Sequence, residues 1–314
     1  MSSNIIIYGG AGFIGSYIVE DLIERNFNVT VFDKKRYLLE DNNFKGNIRF
    51  IEGDFNNKKD VEKSLKYQDY VIHLVSSTLP ADSNVNKRYD VETNLISTLE
   101  LLDECVKNDI KKIIFASSGG TVYGRANSNP ITEEHSTNPL CSYGIVKLAI
   151  EKYLELYRNL YGLNYTILRF SNPFGEKQDP EKGQGFIITA LTKIANGDVV
   201  DIFGNGNTVR DYIYVKDAVK SVYLSIISNT KYNTFNISSG KGYSINDILD
   251  IFRNILKLNF EVKYISSRNF DVSINVLSNK RAIEYLKWKP ETKLEDAIYK
   301  IWYYINKQGK HSLK

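Results

Sequence analysis

The first half of the chain alternates short apolar runs with stretches that carry one apolar face. The run Ile5–Tyr8 ends at two glycines, as a buried parallel strand would, and Phe13–Arg25 then places its apolar side chains on one side of a helix. The alternation continues with strands predicted at Asn28–Phe32, Arg49–Ile51, Tyr70–Val75, Lys112–Ala116 and Tyr165–Phe170, and helices predicted at Asn57–Leu65, Asp90–Lys107 and Cys141–Tyr161. This order predicts an α/β fold, a doubly wound parallel sheet with helices on both faces.

The pattern changes after about Asn172. A polar loop rich in Gly, Pro and Lys spans Gly175–Gly185. Beyond it, strands are predicted at Val199–Phe203 and Asp211–Val215, and helices at Phe186–Asn196, Asp217–Ser228, Ser244–Leu256, Asn279–Leu286 and Leu294–Asn306. We therefore predict two domains. Residues 1–172 form the doubly wound sheet, and residues 173–314 form a smaller C-terminal α/β domain, with some later segments packing back on the first.

Composition and charge narrow the classes of function. Of the 314 residues, 42% are apolar and 25% are charged, which is typical of a globular protein with a large core. The net charge of +4 is small and the basic residues are scattered, so no nucleic-acid partner is expected. The two cysteines and three histidines lack ligand spacing, so no metal site is expected. Because neither a signal peptide nor a run of about 18 apolar residues is found, we expect a cytoplasmic protein that does not enter the membrane.

A glycine turn joins the first strand to the first helix. Gly9, Gly12 and Gly15 lie in this turn, where missing Cβ atoms let a pyrophosphate approach the N–H groups of the helix N-terminus. Asp33 ends the second strand 18 residues after Gly15, where an acid can bind both hydroxyls of an adenine ribose. The alternatives are a tight turn without a ligand and a solvated loop acid. We predict an NAD site, since Asp33 repels the 2′-phosphate of NADP, a repulsion that Lys34–Arg36 could offset.

Tyr143 and Lys147 form the candidate chemical pair. They begin a helix soon after the hydroxyl-rich stretch Ser117–Gly124, which follows the fifth strand at the edge of a parallel sheet where ligands bind. The same spacing without such a strand end occurs at Tyr212/Lys216, Tyr285/Lys289 and Tyr303/Lys307. A phenol of pKa about 10 is a poor base, but two cations, Lys147 and an oxidised nicotinamide, can lower that pKa. Tyr143 could then accept a proton from a sugar hydroxyl as hydride leaves the attached carbon.

With these residues the chain resembles the extended short-chain dehydrogenase/reductases of the NAD-dependent epimerase/dehydratase family, particularly the UDP-glucose 4-epimerase-like proteins. The resemblance extends from Gly9 to about Pro290 and implies a Rossmann fold with NAD as cofactor. The cofactor contacts that it implies are Gly9, Gly12, Phe13, Ile14, Gly15, Asp33, Asp54, Phe55, Leu74, Val75, Ser76, Asn94, Tyr143, Lys147 and Pro173.

The same resemblance implies a nucleoside-diphosphate sugar as substrate. Its implied contacts are Asn172, Phe186, Ile187, Asp201, Ile202, Phe203, Arg210, Arg268 and Asp271. Two arginines, Arg210 and Arg268, suit a diphosphate because the guanidinium fork matches its oxygens, although either could be a surface charge. Asp271 matches a ribose acid. The base stays open among uracil, thymine and guanine.

One position departs from the family pattern. Gly119 stands where 4-epimerases of this family usually carry a Ser or Thr that bonds the reacting sugar oxygen. Ser118, Thr121 or a water must replace that hydroxyl, and Thr121 is favoured because the neighbouring glycines give it room. Gly120 and Thr121 also stand where 4,6-dehydratases carry an Asp-Glu pair, so a dehydratase is not expected.

We therefore predict NAD-dependent epimerisation at C4 of a nucleoside-diphosphate hexose through a transient 4-keto sugar. One alternative is an NAD(P)H-dependent 4-ketoreductase of a nucleotide-linked 4-keto-6-deoxy sugar. Another is a redox-sensing binding protein without catalysis, against which the intact Tyr143 and Lys147 argue. Two helices carry more apolar residues than one sheet-facing stripe needs, which predicts a homodimer through a four-helix contact. Those residues are Leu95, Leu99, Leu102, Val106, Leu148, Leu154, Leu156 and Leu160.

Overall fold

The fold is known from a computed structural model that describes residues 3–36, 39, 48–182, 185–266 and 272–309. Within those ranges, none of the helices is long and apolar enough to cross a membrane. Arg268 and Asp271, two of the residues implied by the family resemblance, lie outside the described ranges.

A seven-stranded sheet forms the centre of the molecule. Its strands are β1 (Asn4–Tyr8), β2 (Asn28–Asp33), β3 (Ile48–Glu52), β4 (Tyr70–His73), β5 (Lys112–Ser118), β6 (Tyr165–Phe170) and β10 (Thr234–Ile237). They lie in the order β3-β2-β1-β4-β5-β6-β10, and every neighbouring pair is parallel. The chain reverses its direction of travel across the sheet between β1 and β4, and ligands of such folds bind in the crevice at that point.

Both faces of this sheet are covered by helices, which confirms the doubly wound prediction. The helices are α1 (Phe13–Glu24), α2 (Lys58–Ser64), α3 (Lys87–Asp90), α4 (Ser97–Lys107), α5 (Ser142–Tyr161), α6 (Phe186–Asn196), α7 (Val215–Ile227), α8 (Ile245–Asn254) and α9 (Leu294–Gly309). Successive residues of β1 point to opposite faces: Ile5 and Ile7 contribute to the core that includes α1 and α7, and Ile6 to the core that includes α4 and α5.

The predicted helix Asp90–Lys107 is longer than expected and not uniform. It begins with α3, continues as the π-helical segment Val91–Ile96 and ends with α4. A π segment is rare and often lies beside a functional site, because the extra residue per turn shifts the side chains that follow. A second π-helical segment, Ala282–Leu286, replaces the last part of the helix predicted at Asn279–Leu286.

The residues after Asn172 build smaller sheets and also return to the central one. The strands β7 (Asn172–Phe174), β9 (Val209–Tyr214), β11 (Gly242–Ser244) and β13 (Ile274–Asn275) form one sheet, and β8 (Val200–Phe203) pairs with β12 (Val262–Ile265). The strand β10 pairs with β6, and α7 packs on α1. The division into residues 1–172 and 173–314 stays a prediction.

Candidate active site

The glycine turn brings the start of α1 against the end of β1. Gly9 has a φ of +81°, and a Cβ there would lie 3.3 Å from the Val75 backbone nitrogen. At Gly15 a Cβ would lie only 2.4 Å from the Gly9 carbonyl oxygen. Any other residue at position 15 would therefore force the strand and the helix apart. The turn leaves the N-terminal amides of α1 facing the crevice at the end of β1.

A cleft of about 600 Å³, here called the glycine-turn cleft, opens in front of this turn. Its walls include eight cofactor residues implied from the sequence, together with their neighbour Ala11. The eight are Gly9, Gly12, Phe13, Asp33, Phe55, Leu74, Val75 and Ser76. Lys177, Gln178 and Asp179 close its far side and were not predicted. This set combines a glycine turn, an acid and an apolar wall, as a dinucleotide requires.

Asp33 is held in place by backbone donors. Its Oδ2 accepts from the Ala11 N–H at 3.0 Å, and its Oδ1 accepts from the Lys34 N–H at 2.8 Å. Lys34 Nζ lies 3.1 Å from Asp54 Oδ2, so this lysine pairs with a carboxylate of the next strand end. That ion pair weakens the offset that Lys34 could provide against repulsion of a 2′-phosphate, which favours NAD.

Seven of the implied cofactor residues lie outside the walls of the cleft: Ile14, Gly15, Asp54, Asn94, Tyr143, Lys147 and Pro173. Gly15 belongs to the turn behind the cleft. Asp54 is joined to the cleft wall by its ion pair with Lys34. Asn94, in the π segment, is buried, and its Oδ1 accepts from the Ser77 N–H at 2.8 Å. Ile14 faces a second cavity instead. Asn94 therefore orders the loop after β4 rather than lining the cleft.

The second cavity, of about 450 Å³, contains the candidate chemical group and is called the Tyr143 cavity. It is lined by Phe13, Ile14, Leu79, Pro80, Ala81, Asp82, Ser118, Gly120, Thr121, Cys141, Tyr143, Asn172, Pro173, Gln178 and Arg210, among others. Phe13 and Gln178 also line the glycine-turn cleft, so the two spaces meet. Tyr143 thus faces the space into which the reactive end of a dinucleotide would project.

Lys147 lies one helical turn behind Tyr143 and is almost fully buried. Its Nζ donates to the Ala116 carbonyl oxygen at 3.0 Å and lies 5.6 Å from the centre of the Tyr143 ring. Burial lowers the pKa of Lys147 to about 8, while Asp90 and Glu151 oppose that shift. The lysine is therefore a cation near neutral pH, held beside the phenol by the end of β5.

The pKa of Tyr143 itself is raised by burial, and Cys141 and Asp90 raise it further. A hydrogen bond with the Ser118 side chain opposes this rise. The lowered pKa of Tyr143 predicted from the sequence required two cations, of which Lys147 is the one that the chain supplies. Within the chain alone burial raises this pKa, so a lowered value requires the second cation, the oxidised nicotinamide.

A residue far along the chain limits the space at Gly119. A Cβ at this position would lie 2.3 Å from Leu277 Cδ1, and the Gly119 carbonyl accepts from Asn275 Nδ2 at 3.2 Å. A Ser or Thr at position 119 would require the Leu277 side chain to move. The two nearby hydroxyl residues Ser118 and Thr121 both line the Tyr143 cavity. Within the described part of the chain, Thr121 Oγ1 is buried and has no hydrogen-bond partner.

A buried ion pair between Arg169 and Glu151 packs against the carboxyl end of β5. Arg169 Nε donates to Glu151 Oε1 at 3.0 Å, and Arg169 Nη1 donates to the Tyr123 hydroxyl at 2.8 Å. Glu151 also accepts from Ser117 Oγ at 2.5 Å. Because Glu151 follows Lys147 by one helical turn, it places a negative charge on the same helix face. Glu151 was not predicted from the sequence, although its position one helical turn after Lys147 was a signal.

A third cavity, of about 540 Å³, adjoins the second and is called the α6 cavity. It brings together every described residue that the resemblance assigned to the nucleotide sugar: Asn172, Phe186, Ile187, Asp201, Ile202, Phe203 and Arg210. Arg210 and Asn172 line both this cavity and the Tyr143 cavity. A guanidinium at that junction suits a diphosphate whose sugar points to Tyr143 and whose base lies among the α6 residues.

The polar residues of the α6 cavity have fixed partners. Arg210 Nη1 donates to the carbonyls of Val209 and Val272, at 2.9 and 2.6 Å. Asp201 pairs with Lys193 at 2.7 Å, and Asn172 Nδ2 donates to the Asp211 carbonyl at 2.9 Å. Lys193 was not predicted from the sequence. Across the described part of the chain, no cluster of His, Cys, Asp or Glu has the composition of a metal site.

Comparison with known proteins agrees with this geometry. The family model described as NAD dependent epimerase/dehydratase family matches residues 5–238. A UDP-glucose 4-epimerase from Thermotoga maritima, solved with UDP-glucose, superimposes with a TM-score of 0.90 at 35% identity over 97% of this chain and 99% of its own.

Two relatives bear on the type of reaction. A protein of Methanocaldococcus jannaschii, named as a candidate UDP-glucose 4-epimerase, is 38% identical over 95% of this chain and 96% of its own length. A dTDP-4-dehydro-6-deoxyglucose reductase of Escherichia coli is 31% identical, with the alignment covering 95% of this chain and 96% of the reductase. Sequence similarity therefore extends to both types of reaction predicted from the sequence.

Proposed function

The chain belongs to the NAD dependent epimerase/dehydratase family, and from that premise we propose that it interconverts the C4 epimers of a UDP-hexose. The observation that carries this proposal is the position of Tyr143 in a cavity continuous with both the glycine-turn cleft and the α6 cavity. One group can therefore face a bound dinucleotide and a bound nucleotide sugar at the same time.

NAD is the cofactor, and the residues of the glycine-turn cleft fit it. The close packing of Gly15 on Gly9 leaves the amides of the α1 N-terminus for the pyrophosphate, and Asp33 faces the cleft where an adenine ribose would lie. Phe55 and Leu74 supply apolar wall. When bound, NAD supplies a hydride acceptor that can return the hydride to the same carbon.

Tyr143 handles the proton in this mechanism. Its phenolate oxygen takes the proton of the sugar O4 hydroxyl as the C4 hydrogen departs, which leaves a 4-keto sugar. Lys147, fixed by the Ala116 carbonyl, places its positive charge beside the phenol and favours the phenolate. After the keto sugar has turned over in the cavity, Tyr143 returns the proton to O4, so no net proton is consumed. Ser118 and Thr121 hold O4 by hydrogen bonds.

The α6 cavity holds the UDP moiety. The Thermotoga relative with the same fold binds UDP-glucose, and uracil is small and flat enough for the space between Phe186, Phe203 and Ile202. Arg210, at the junction of the two cavities, binds the diphosphate. Arg268 and Asp271 join this set on the family resemblance alone.

We also propose a homodimer through α4 and α5. Ile145, Leu156 and Leu160 of α5 are 56%, 43% and 60% exposed, and Ile96, in the π segment before α4, is 46% exposed. Six of the residues predicted for this contact lie instead within or against the chain's own apolar clusters: Leu95, Leu99, Leu102, Val106, Leu148 and Leu154. The contact therefore uses a narrower stripe than predicted. Light scattering at tens of micromolar that shows only monomer would contradict it.

The test of the function is an assay with three substrates. Purified protein is incubated with UDP-glucose, UDP-N-acetylglucosamine and dTDP-4-keto-6-deoxyglucose while absorbance at about 340 nm reports net NAD(P)H and chromatography reports the sugars. We expect C4 epimers of a UDP-sugar with flat absorbance. Stoichiometric loss of NAD(P)H with the keto sugar alone would replace the epimerase by the 4-ketoreductase, which the similarity to the Escherichia coli reductase keeps as the alternative. The cytoplasmic location stays a prediction from the sequence.

A further inference from the structure

The helix that carries Tyr143 has an incomplete cap of its own. Helix α5 begins at Ser142, and Cys141 at its N-cap has extended backbone angles and makes no side-chain capping hydrogen bond. The first amides of a helix have no partner within it and must find one elsewhere. Tyr143 is the second residue of the helix, so its position depends on how this first turn is held.

The missing caps come from a loop almost 60 residues earlier in the chain. Asn84 Oδ1 accepts from the Ser142 N–H at 3.0 Å, and Ser83 Oγ accepts from the Tyr143 N–H at 3.1 Å. Both acceptors are of the residue types that cap helices best. The catalytic helix is therefore capped by side chains that belong to the loop between β4 and α3.

The same loop forms one wall of the Tyr143 cavity. Residues 79–82 line the cavity, and Ser83, which follows them, is fully buried. The Ser83 hydroxyl donates to the Pro80 carbonyl at 3.1 Å while it accepts from Tyr143, so one hydroxyl joins the cavity wall to the helix. A shift of the wall and a shift of the phenol are thereby coupled.

The start of the loop is tied down separately. Thr78 Oγ1 donates to Asp90 Oδ1 at 2.6 Å, and the Ser77 N–H donates to Asn94 Oδ1 at 2.8 Å. Asp90 and Asn94 are both buried and belong to α3 and the π segment. The loop is anchored at this end to the residues beside the glycine-turn cleft, and at the other end to α5.

We propose that Ser83 and Asn84 are positioning residues that set the place of the Tyr143 phenol relative to the sugar. This inference rests on the proposed function, because it concerns the proton transfer assigned to Tyr143. Helix ends fray, and a displacement of about 1 Å in a reacting group can cost about 100-fold in rate. Loss of either cap lowers kcat and leaves the KM for the nucleotide sugar near its wild-type value, since the UDP moiety is held in the α6 cavity.

The first experiment compares two asparagines of the same loop. Asn84→Ala should lower kcat about 5- to 20-fold, the effect of one lost cap expressed in the rate, with KM within about twofold. Asn84→Asp keeps the acceptor oxygen and should recover most of the activity. Asn86→Ala is the matched control, because Asn86 caps α3 through the Tyr89 N–H instead of α5. Its kcat should stay within about twofold of wild type.

The second experiment asks whether Ser83 acts through Tyr143. Ser83→Ala is measured alone and combined with Tyr143→Phe. A positioning role predicts about a tenfold loss of kcat alone and almost no further loss in the Tyr143→Phe background. Hydrogen exchange of unliganded protein should show faster exchange at the first turn of α5 in Ser83→Ala than in Asn86→Ala.

The outcomes separate this inference from the proposed function. A wild-type chain that epimerises no nucleotide sugar contradicts the proposed function and the inference with it. A wild-type chain that does so, while Ser83→Ala loses equally in both backgrounds or Asn86→Ala loses as much as Asn84→Ala, contradicts the positioning role alone. Unchanged exchange at the first turn of α5 in Ser83→Ala also contradicts it.

Discussion

The glycine-turn cleft and the α6 cavity differ in how far apart their lining residues lie along the chain. The cleft is built mainly at the carboxyl ends of β1, β2 and β4, each followed directly by the residues that line it. The α6 cavity takes its walls from β7, α6, β8 and β9, together with Ile245 and Ile265. The glycine-turn cleft is therefore lined mainly by residues at strand ends, and the α6 cavity by residues from segments that are distant in the chain.

The pairings that create the α6 cavity are long-range. The strand β7 pairs with β9, where Asn172 lies opposite Tyr212, and β8 pairs with β12, where Ile202 lies opposite Tyr264. Because these pairings join segments far apart in the chain, the local sequence does not indicate which strand pairs with which. Changes near Tyr143 should therefore alter the chemical step, whereas changes in the distant segments should alter binding or stability.

The largest effect is expected at the chemical group itself. Tyr143→Phe should lower turnover at least about 100-fold, the usual scale for a lost acid or base, because the phenylalanine has no group to take the O4 proton. Binding of NAD and nucleotide sugar should stay near wild type. Tyr303→Phe is the matched control, since Tyr303 has a lysine four residues later and is 64% exposed. Turnover that survives in Tyr143→Phe would make Tyr143 a packing residue.

The next effect concerns the assembly of the distant segments. Asp211, on β9, is fully buried and accepts from the N–H groups of Ser239, Gly240 and Leu277. Asp211→Asn turns an amide donor towards some of these donors and should lower the free energy of unfolding by about 2–3 kcal/mol. Denaturant unfolding measures this, with Asp250→Asn, whose carboxylate is exposed, as the control. A loss below about 0.5 kcal/mol would remove Asp211 as the link between these segments.

A smaller effect is expected for binding at the junction of the two cavities. Arg210→Ala should raise the KM for the nucleotide sugar about tenfold or more, because a charge-assisted contact to the diphosphate is lost, while kcat changes less. Steady-state kinetics measures both parameters, and Arg253→Ala on α8 is the control. A fall in kcat with unchanged KM would place Arg210 with the chemical group rather than with the nucleotide.

The smallest pair of effects concerns Ser118 and Thr121, the two hydroxyls proposed to replace the one absent at Gly119. Thr121→Val should cost more activity than Ser118→Ala, about tenfold against a few-fold, because the buried Thr121 hydroxyl has no partner among the described residues and can be satisfied by O4. Both variants are compared by kcat at saturating sugar. Equal and small losses would assign the contact to water or the backbone.

The same contrast explains what the sequence could predict. The β1–α1–β2 unit, with Gly9, Gly15 and Asp33, was predictable because each residue follows its own strand along the chain. The strand β10 was missed, since Thr234–Ile237 is short and gains its place only by pairing with β6. The close contact at Gly119 was equally hidden, because Leu277, whose side chain limits the space there, lies far along the chain.

The site itself was predicted in part for the same reason. Residues on motifs were identified one by one, and the described ones come together around three adjoining cavities. The contacts that hold them, such as Ser83 and Asn84 on α5 or Arg169 on Glu151, join segments that no motif connects. The π segment Val91–Ile96 was predicted as ordinary helix because such segments are rare and occur as single turns inside α-helices.

Return of the hydride to the carbon that lost it is the central feature of the proposed reaction, and isotope retention measures it directly. UDP-glucose carrying deuterium at C4 is mixed with unlabelled UDP-N-acetylglucosamine and a catalytic amount of enzyme, and the products are analysed by mass spectrometry and NMR. We expect the deuterium to stay at C4 of UDP-galactose, with none in the acetylated sugars, in free NADH or in water. Deuterium in free NADH or in the second sugar would contradict epimerisation within one closed site.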